Sequence, residues 1–349
     1  MKELKVGIVG CGLISKKRHI PGFLKNKNVK SISVCDLNID LAKQTASDFH
    51  LSSAYATLTE MLERQKLDIV DICTPPQVHA PVALQAIEAG CNVLMEKPMA
   101  LTVSDCDKMI SAAKKNNVKL CTVHNNLYHQ PFIRAKKLVD SGEIGDFINM
   151  RIFLSTPKND LISMKNHWVH KLPGGIIGET GPHIAYMSKA FLHDIIRVDV
   201  KAKQYNQYEW APYDQFTIEI EADNGISSSI STYTNDYWAA DVDIFCTKEA
   251  LHLDLQSFTL TRFKRNDLKN TTLARSSLGI SYNVFSNVLS NGVSAVMGNV
   301  KVGHDIVIEK FVESIINNIE LPVTEQQGRD AVEIMEFVVN SLNQRRDLN

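Results

Sequence analysis

Among 349 residues the formal net charge is only −1, from 38 Lys and Arg against 39 Asp and Glu, and the two signs are interspersed. A chain without a field of one sign lacks the electrostatic footprint that attracts nucleic acid or an anionic bilayer. No apolar run approaches the length of a membrane span or a signal-peptide core, so a soluble, cytoplasmic protein is expected. There is no CxxC pair. The seven cysteines are odd in number, and six lie between Cys11 and Cys121, mostly inside apolar runs. They read as reduced core residues and not as a disulfide framework or zinc site, and no metal is expected. Internal repeats are also missing. What remains is a globular chain longer than one hydrophobic core usually serves, hence two domains.

The first feature present is Lys5-Val6-Gly7-Ile8-Val9-Gly10-Cys11-Gly12-Leu13-Ile14-Ser15, an apolar run that breaks into glycines and resumes as a helical pattern. Gly10 and Gly12 suit the tight turn and the close backbone approach of a dinucleotide-phosphate loop, with Cys11, Leu13 and Ile14 completing it. Ser15 stands where Gly or Ala is usual, and is small enough for close packing. Apolar strands follow at Ser31 to Cys35, Ile69 to Cys73, Asn92 to Met95 and Lys119 to Val123. They alternate with amphipathic stretches such as Leu41 to Phe49 and Pro81 to Ala89, the latter closed by Gly90. This is the sequence form of a parallel sheet covered on both faces. Asp36 ends the second strand, 24 residues beyond Gly12. It either accepts both ribose hydroxyls of an adenosine or merely caps a loop. As a ribose ligand it favours NAD over NADP, because it repels a 2′-phosphate and Leu37-Asn38 supplies no cation. Lys16, Lys17 and Arg18 read as a solvated helix face.

Two further turns follow strands: Thr74-Pro75-Pro76-Gln77-Val78-His79 and Glu96-Lys97-Pro98. Both fall at carboxyl ends of parallel strands, where open sheets bind ligands. Pro98 keeps Lys97 out of helical conformation. An ammonium held there can stabilise an alkoxide as hydride leaves its carbon; the alternative is an ordinary surface lysine.

Gly10-Cys11-Gly12, Asp36, Thr74-Pro75 with His79, and Glu96-Lys97-Pro98, in this order and spacing, resemble the Gfo/Idh/MocA oxidoreductases, the glucose–fructose oxidoreductase and inositol dehydrogenase group. Gly142-Glu143-Ile144-Gly145 resembles that family's entry into its second domain. Leu321-Pro322-Val323-Thr324 with Gly328-Arg329-Asp330-Ala331 resembles its C-terminal helix. The resemblance covers nearly the whole chain. It implies an α/β N-terminal Rossmann domain, residues 1–125, binding NAD through Gly10 to Ile14, Asp36, Thr74, Pro75, His79, Glu96 and Lys97. It further implies an α+β domain, residues 126–349, with a large, mostly antiparallel open sheet for substrate binding and homo-oligomerisation, its C-terminal helix packing back on the first domain.

The second half agrees in pattern. Phe147 to Ser155, Val198 to Gln204, Phe216 to Glu221, Ile226 to Tyr233, Val242 to Cys246 and Ala250 to Leu255 read as strands, with a hairpin at Asp223-Asn224-Gly225. Residues 266–300, rich in Ser and Asn, read as an insertion or extended loop. Gly303 to Asn318 and Glu325 to Asn343 have helical spacing, with a capping box between Thr324 and Gln327.

In Gly174-Gly175-Ile176-Ile177-Gly178-Glu179-Thr180-Gly181-Pro182-His183 the family usually carries Asp four residues before His; here Glu179 takes that place and His183 the position of the base. The pair shares one helix face, so Glu179 either orients the imidazole or binds substrate directly, while His183 accepts the proton of an alcohol. A histidine satisfied by local groups is the plainer alternative. Pro182 requires the helix to begin near Gly181 or to kink there. His124, Asn126, Tyr128, His167 and Trp168 are candidate substrate contacts. The activity implied is hydride transfer from a secondary alcohol of a sugar, cyclitol or sugar derivative to NAD. Two alternatives are an NAD-dependent glycosidase of the same family, which would release aglycone without net NADH, and a non-catalytic NAD-binding regulator. The family's arginine near His124 to Tyr128 is missing, which leaves an anionic substrate without a cation there.

Overall fold

The structure, a computed structural model, describes residues 3–264, 267–296 and 301–346. The chain divides into two compact units, one of residues 1–125 and 301–333, the other of residues 126–300 and 334–349.

The first unit is built on β1 (Leu4–Val9), α1 (Ile20–Leu24), β2 (Val29–Cys35), α2 (Ile39–Asp48), β3 (Ser53–Tyr55), α3 (Leu58–Arg64), β4 (Ile69–Ile72), α4 (His79–Glu88), β5 (Asn92–Met95), α5 (Val103–Asn116) and β6 (Leu120–Thr122). Its six strands are all parallel, in the order β3-β2-β1-β4-β5-β6. Every residue of β4 is buried, as expected of a strand covered on both faces. Asn38, Thr57 and Thr102 cap α2, α3 and α5 by accepting backbone N–H groups of the first turn. Gly90, at φ +79°, follows the end of α4. The strand order reverses between β1 and β4, so the ligand-binding crevice of such a sheet opens at the carboxyl ends of these two strands.

The second unit contains α6 (Gln130–Asp140), β7 (Phe147–Ser155), α7 (Ile177–Lys189), β8 (Ile195–Lys203), β9 (Gln215–Ala222), β10 (Gly225–Thr232), β11 (Ala239–Cys246), β12 (Ala250–Asp254), β13 (Thr259–Phe263) and α8 (Asn270–Val296). Its sheet runs β13-β12-β11-β7-β10-β9-β8, antiparallel except for the β7–β10 pair. The polarity of β10 is the reverse of the usual pattern. Ser227, Ser229 and Ser231 are buried, while Ile226 and Ile230 are exposed. Part of the reason lies in α7, whose Ser188 and Thr180 hydroxyls hydrogen-bond Ser227 and Ser231. Small serines let the helix approach, and each hydroxyl so paired avoids the cost of a buried orphan. Tyr233, fully buried, donates from Oη to the Ile176 carbonyl at 3.0 Å and lies 2.6 Å from Thr180 Oγ1, fixing the start of the same helix.

Two expectations need correction. The stretch 266–300 is not a loop: Asn270–Val296 is helix α8, packed on β13, while 265–266 and 297–300 lie outside the described residues. Of the two readings of Pro182, the helix start near Gly181 is overturned: α7 starts at Ile177 and carries Pro182 in its interior. Gly178 leaves room there for the Leu172 side chain.

The last elements are α9 (Gly303–Asn317) and α10 (Glu325–Arg346). Residues 301–333 belong to the first unit, so α9 and the beginning of α10 are part of the nucleotide-type fold. Thr324 and Gln327 form the reciprocal capping box. Arg329 pairs with Asp107 at 2.8 Å. All seven cysteines are buried thiols outside any disulfide. Among the described residues no helix is long and apolar enough to cross a membrane.

Candidate functional site

The first unit gathers the predicted nucleotide residues at the carboxyl edge of its sheet. Gly10 has φ +97°, and a β-carbon there would lie 2.8 Å from the Cys73 carbonyl oxygen, so the loop can pass the end of β4 only as glycine. At Gly12 a β-carbon would meet nothing within 4 Å, which leaves the outer side of the turn open for a ligand. Asp36 Oδ2 accepts the Cys11 N–H at 2.9 Å, and its Oδ1 accepts the Asn38 N–H at 2.9 Å. This ties the acid to the loop and leaves further lone pairs for hydroxyl donors. Leu13 and Leu37 are 80% and 91% exposed on the two neighbouring loops, and Ile14 is half-buried behind them. The Thr74 hydroxyl oxygen is buried with no hydrogen-bond partner, next to the exposed Pro75. Together these features fit a dinucleotide.

Ser15 is fully buried, its hydroxyl donating to the Gly12 carbonyl at 3.2 Å. It begins a π-turn that runs to His19. His79 is buried with Nδ1 2.8 Å from the Pro98 carbonyl and Nε2 2.9 Å from the Thr74 carbonyl, so it braces the two predicted turns against each other. Burial lowers its pKa, although the two carbonyls pull the other way. Lys97 is half-buried between Glu96 and a cis Pro98. His124 is 2% exposed, and burial pushes its pKa down to about 3, so it is neutral.

Beneath the Lys97 turn lies a group that sequence reasoning missed. His19 Nδ1 is 2.8 Å from Asp71 Oδ2, its Nε2 is 2.9 Å from Glu96 Oε1, and His304 Nε2 approaches the same Glu96 oxygen at 3.2 Å. Cys73 Sγ donates weakly to Asp71 at 3.5 Å. Burial alone would lower the His19 pKa, but the adjoining Asp71 carboxylate outweighs it and holds it well above the ordinary 6.5. Burial likewise opposes ionisation of Glu96, yet the hydrogen bonds from His19 and His304 hold it well below 4.5. The signal for this group was the presence of ionisable residues at apolar strand ends and helix starts, which no local pattern connects.

In the second unit, Glu179 and His183 lie one turn apart on α7. His183 Nδ1 is 2.6 Å from Tyr186 Oη, which also accepts the Asn126 backbone N–H at 3.3 Å. The Asn126 side-chain nitrogen is 3.4 Å from the same imidazole nitrogen. Tyr186 was not anticipated, though its i+3 spacing from His183 is a readable cue. Glu179 acts electrostatically on His167, raising a pKa that burial lowers. The rings of His167 and Trp168 are 5.2 Å apart. Tyr128 is half-buried in the short turn Asn125–Tyr128. The second unit therefore brings together Asn126, His167, Glu179, His183 and Tyr186 by direct contact or by charge.

Comparison with known proteins gives the setting. Residues 4–124 match the model of the oxidoreductase family with an NAD-binding Rossmann fold, and residues 132–252 match the GFO/IDH/MocA C-terminal domain. An oxidoreductase P35 of Formosa agariphila is 29% identical over 183 residues, covering 51% of this chain and 57% of that protein. Inositol 2-dehydrogenase of Salmonella typhimurium is 30% identical over 145 residues, covering 41% and 43%. The chain thus spans about half the length of the curated relatives it matches. The crystal structure of the WlbA dehydrogenase from Bordetella pertussis in complex with NADH and UDP-GlcNAcA superposes with TM-score 0.79 at 17% identity, covering 98% of this chain and 96% of that one. At that identity the likeness speaks for the fold.

The buried charges make stability depend on pH in both directions. Glu96 has a lowered folded-state pKa, so its contribution is complete above the ordinary 4.5 and is lost as pH falls further. His19 has a raised one, so its contribution is complete below 6.5 and declines as pH rises toward the folded value. The stability difference between wild type and Glu96→Gln, from urea melts, is expected to shrink below about pH 4.5. That between wild type and His19→Gln is expected to shrink above about pH 6.5. Differences flat across pH 4 to 9 would contradict the assignment.

Proposed function

The chain belongs to the GFO/IDH/MocA oxidoreductase family, and from that membership and its site residues we propose that it is an NAD-dependent dehydrogenase of a secondary alcohol on a sugar, cyclitol or sugar derivative. The observation that carries this reading is Lys97, half-buried at the carboxyl end of β5, on the same sheet edge as the Gly10 loop and Asp36. Gly10 to Ile14, Asp36, Thr74, Pro75 and the Lys97 turn hold the dinucleotide, with His79 and Glu96 bracing the turns. Asp36 receives the adenosine ribose hydroxyls and disfavours a 2′-phosphate, which makes NAD the preferred form. When bound, the nicotinamide supplies a hydride acceptor.

The residues of this chain manage the proton and the developing charge. Lys97 donates a hydrogen bond to the substrate oxygen and stabilises it as an alkoxide. His183 accepts the hydroxyl proton, its ring oriented by the 2.6 Å contact between Nδ1 and Tyr186 Oη. Glu179, one turn before His183 on α7 and close enough for its charge to act on His167, either orients the imidazole or accepts a substrate hydroxyl. Asn126, Tyr128, His167 and Trp168 complete a polar and aromatic lining suited to a carbohydrate. His124, buried just past β6, is a further candidate substrate contact.

The second unit also suits self-association. Ile226, Ile230 and Phe245 are 37–38% exposed on one sheet face, around the Arg151–Asp243 pair, and such a face is characteristic of an interface. We infer a homodimer or homotetramer through this sheet, in a soluble, cytoplasmic setting.

Activity is tested by NADH formation across polyols, free sugars and sugar nucleotides. Lys97→Ala is expected to lower kcat by about 10²- to 10³-fold while the fold and NAD binding persist. Asp36→Ala is expected to weaken NAD binding by about 10- to 100-fold and NADP binding less. Full activity of the Lys97 variant removes the role given to that residue. For the assembly, light scattering is expected to give a dimer or tetramer that Ile230→Lys disrupts; a wild-type monomer at micromolar concentration contradicts the interface.

A further inference from the structure

Four segments far apart in sequence converge on Glu96. His19 ends the π-turn that begins at Ser15, beside the glycine loop; Asp71 lies in β4; Glu96 ends β5; His304 is the second residue of α9. Glu96 uses its two oxygens differently. Oε1 receives both imidazoles, at 2.9 Å and 3.2 Å, whereas Oε2 accepts the backbone N–H of Lys97 at 3.1 Å. With one oxygen held from two sides, the carboxylate cannot rotate away, and its other oxygen stays on the Lys97 amide.

The placement of His304 is enforced by packing. A β-carbon on Gly303 would overlap the Asn125 carbonyl oxygen, and one on Gly22 would lie 2.7 Å from Ile308 Cδ1. Helix α9 therefore meets both the end of β6 and α1 at glycine distance. Asp305 accepts the Val302 N–H at 3.2 Å and secures the helix start. Buried polar contacts of this number are retained at a cost unless each member is satisfied. Here Glu96 is satisfied by three donors, and His19 by two carboxylates.

We propose that His304, together with His19, is a positioning residue that clamps Glu96 and thereby sets the backbone of the Lys97 turn. Neither imidazole touches the reacting atoms. Both act through Glu96, and His19 extends the clamp to the helix that follows the glycine loop. The significance for turnover rests on the role of Lys97 proposed above, whereas the clamp itself is a property of the unliganded protein.

The test compares His304→Leu, which removes the donor, with His304→Gln, whose side-chain amide can donate from nearly the same point. The first readout is hydrogen exchange of the Lys97 amide by NMR in the protein without cofactor. The leucine variant is expected to exchange about 10- to 100-fold faster at Lys97 than wild type, with core amides of β1 and β4 unchanged, and the glutamine variant to restore protection. The second readout is a kcat reduced about tenfold or more in the leucine variant and rescued by glutamine, with NAD affinity within twofold of wild type. If the leucine variant does not fold, His304→Asn, too short to reach Glu96, takes its place. Unchanged Lys97 exchange, equal loss in both variants, or faster exchange throughout the unit overturns the clamp. So does an equimolar divalent metal in protein purified without chelator, because His19 Nε2 cannot both ligate a metal and donate to Glu96. An active Lys97→Ala variant would remove the proposed role of the lysine and leave the amide-exchange result standing, so the two failures are distinct.

Discussion

A buried imidazole shared between two carboxylates is the constraint around which the nucleotide unit is arranged. Moving one ion out of water costs several kcal/mol, and removing a single partner from a buried pair typically costs about 3–5 kcal/mol. His19, Asp71 and Glu96 are therefore tolerable only together. Their contacts join the first helix to β4 and β5, and β1 and β4 are the strands between which the sheet order reverses. His304 brings α9 into the same group, which explains why residues after 300 belong with the first unit. Rigid turns at the crevice follow from this group and from His79, which bridges the carbonyls of Thr74 and Pro98. A reaction that needs an ammonium held at one point gains more from such bracing than from a lysine on a free loop.

The second unit solves a different problem. Its long sheet presents one face to α7 and one to solvent, and β10 places serines on the helix side and isoleucines outside. Hydroxyl pairs at Ser188–Ser227 and Thr180–Ser231 satisfy those four groups under close helix–sheet packing, whereas the Ser229 hydroxyl between them is buried without a partner. That contact, with Tyr233 under the helix start, sets the helix carrying Glu179, His183 and Tyr186. The same inversion leaves apolar side chains on the outer face, so the features that secure the site also create the surface proposed for association.

Where local pattern decides structure, the residues were readable. The spans Asn92–Met95 and Phe147–Ser155 are strands with the expected limits, and the Gly10 loop, the Asp36 position and the Thr324–Gln327 capping box follow from short-range sterics and hydrogen bonding. Strands β3 and β13 were not expected: they are three and five residues long and are recruited as sheet edges by tertiary pairing. Helix α8 was hidden by its Ser and Asn content, which lowers helix propensity, although Leu278, Tyr282, Phe285 and Leu289 keep a helical four-three-four spacing. The clamp could not be read at all, because 52, 77 and 208 positions separate its hydrogen-bonded partners. Tyr186 lay within reach of inspection but carries no motif of its own.

The most direct test of the account is the protonation state of His19, observed by ¹⁵N NMR of its imidazole ring in the unliganded protein at pH 7.5. Two protonated ring nitrogens, both coupled to slowly exchanging hydrogens, are the predicted result, since Nδ1 donates to Asp71 and Nε2 to Glu96. A neutral ring with one bare nitrogen would contradict the shared-imidazolium constraint from which the arrangement of the Lys97 turn is derived.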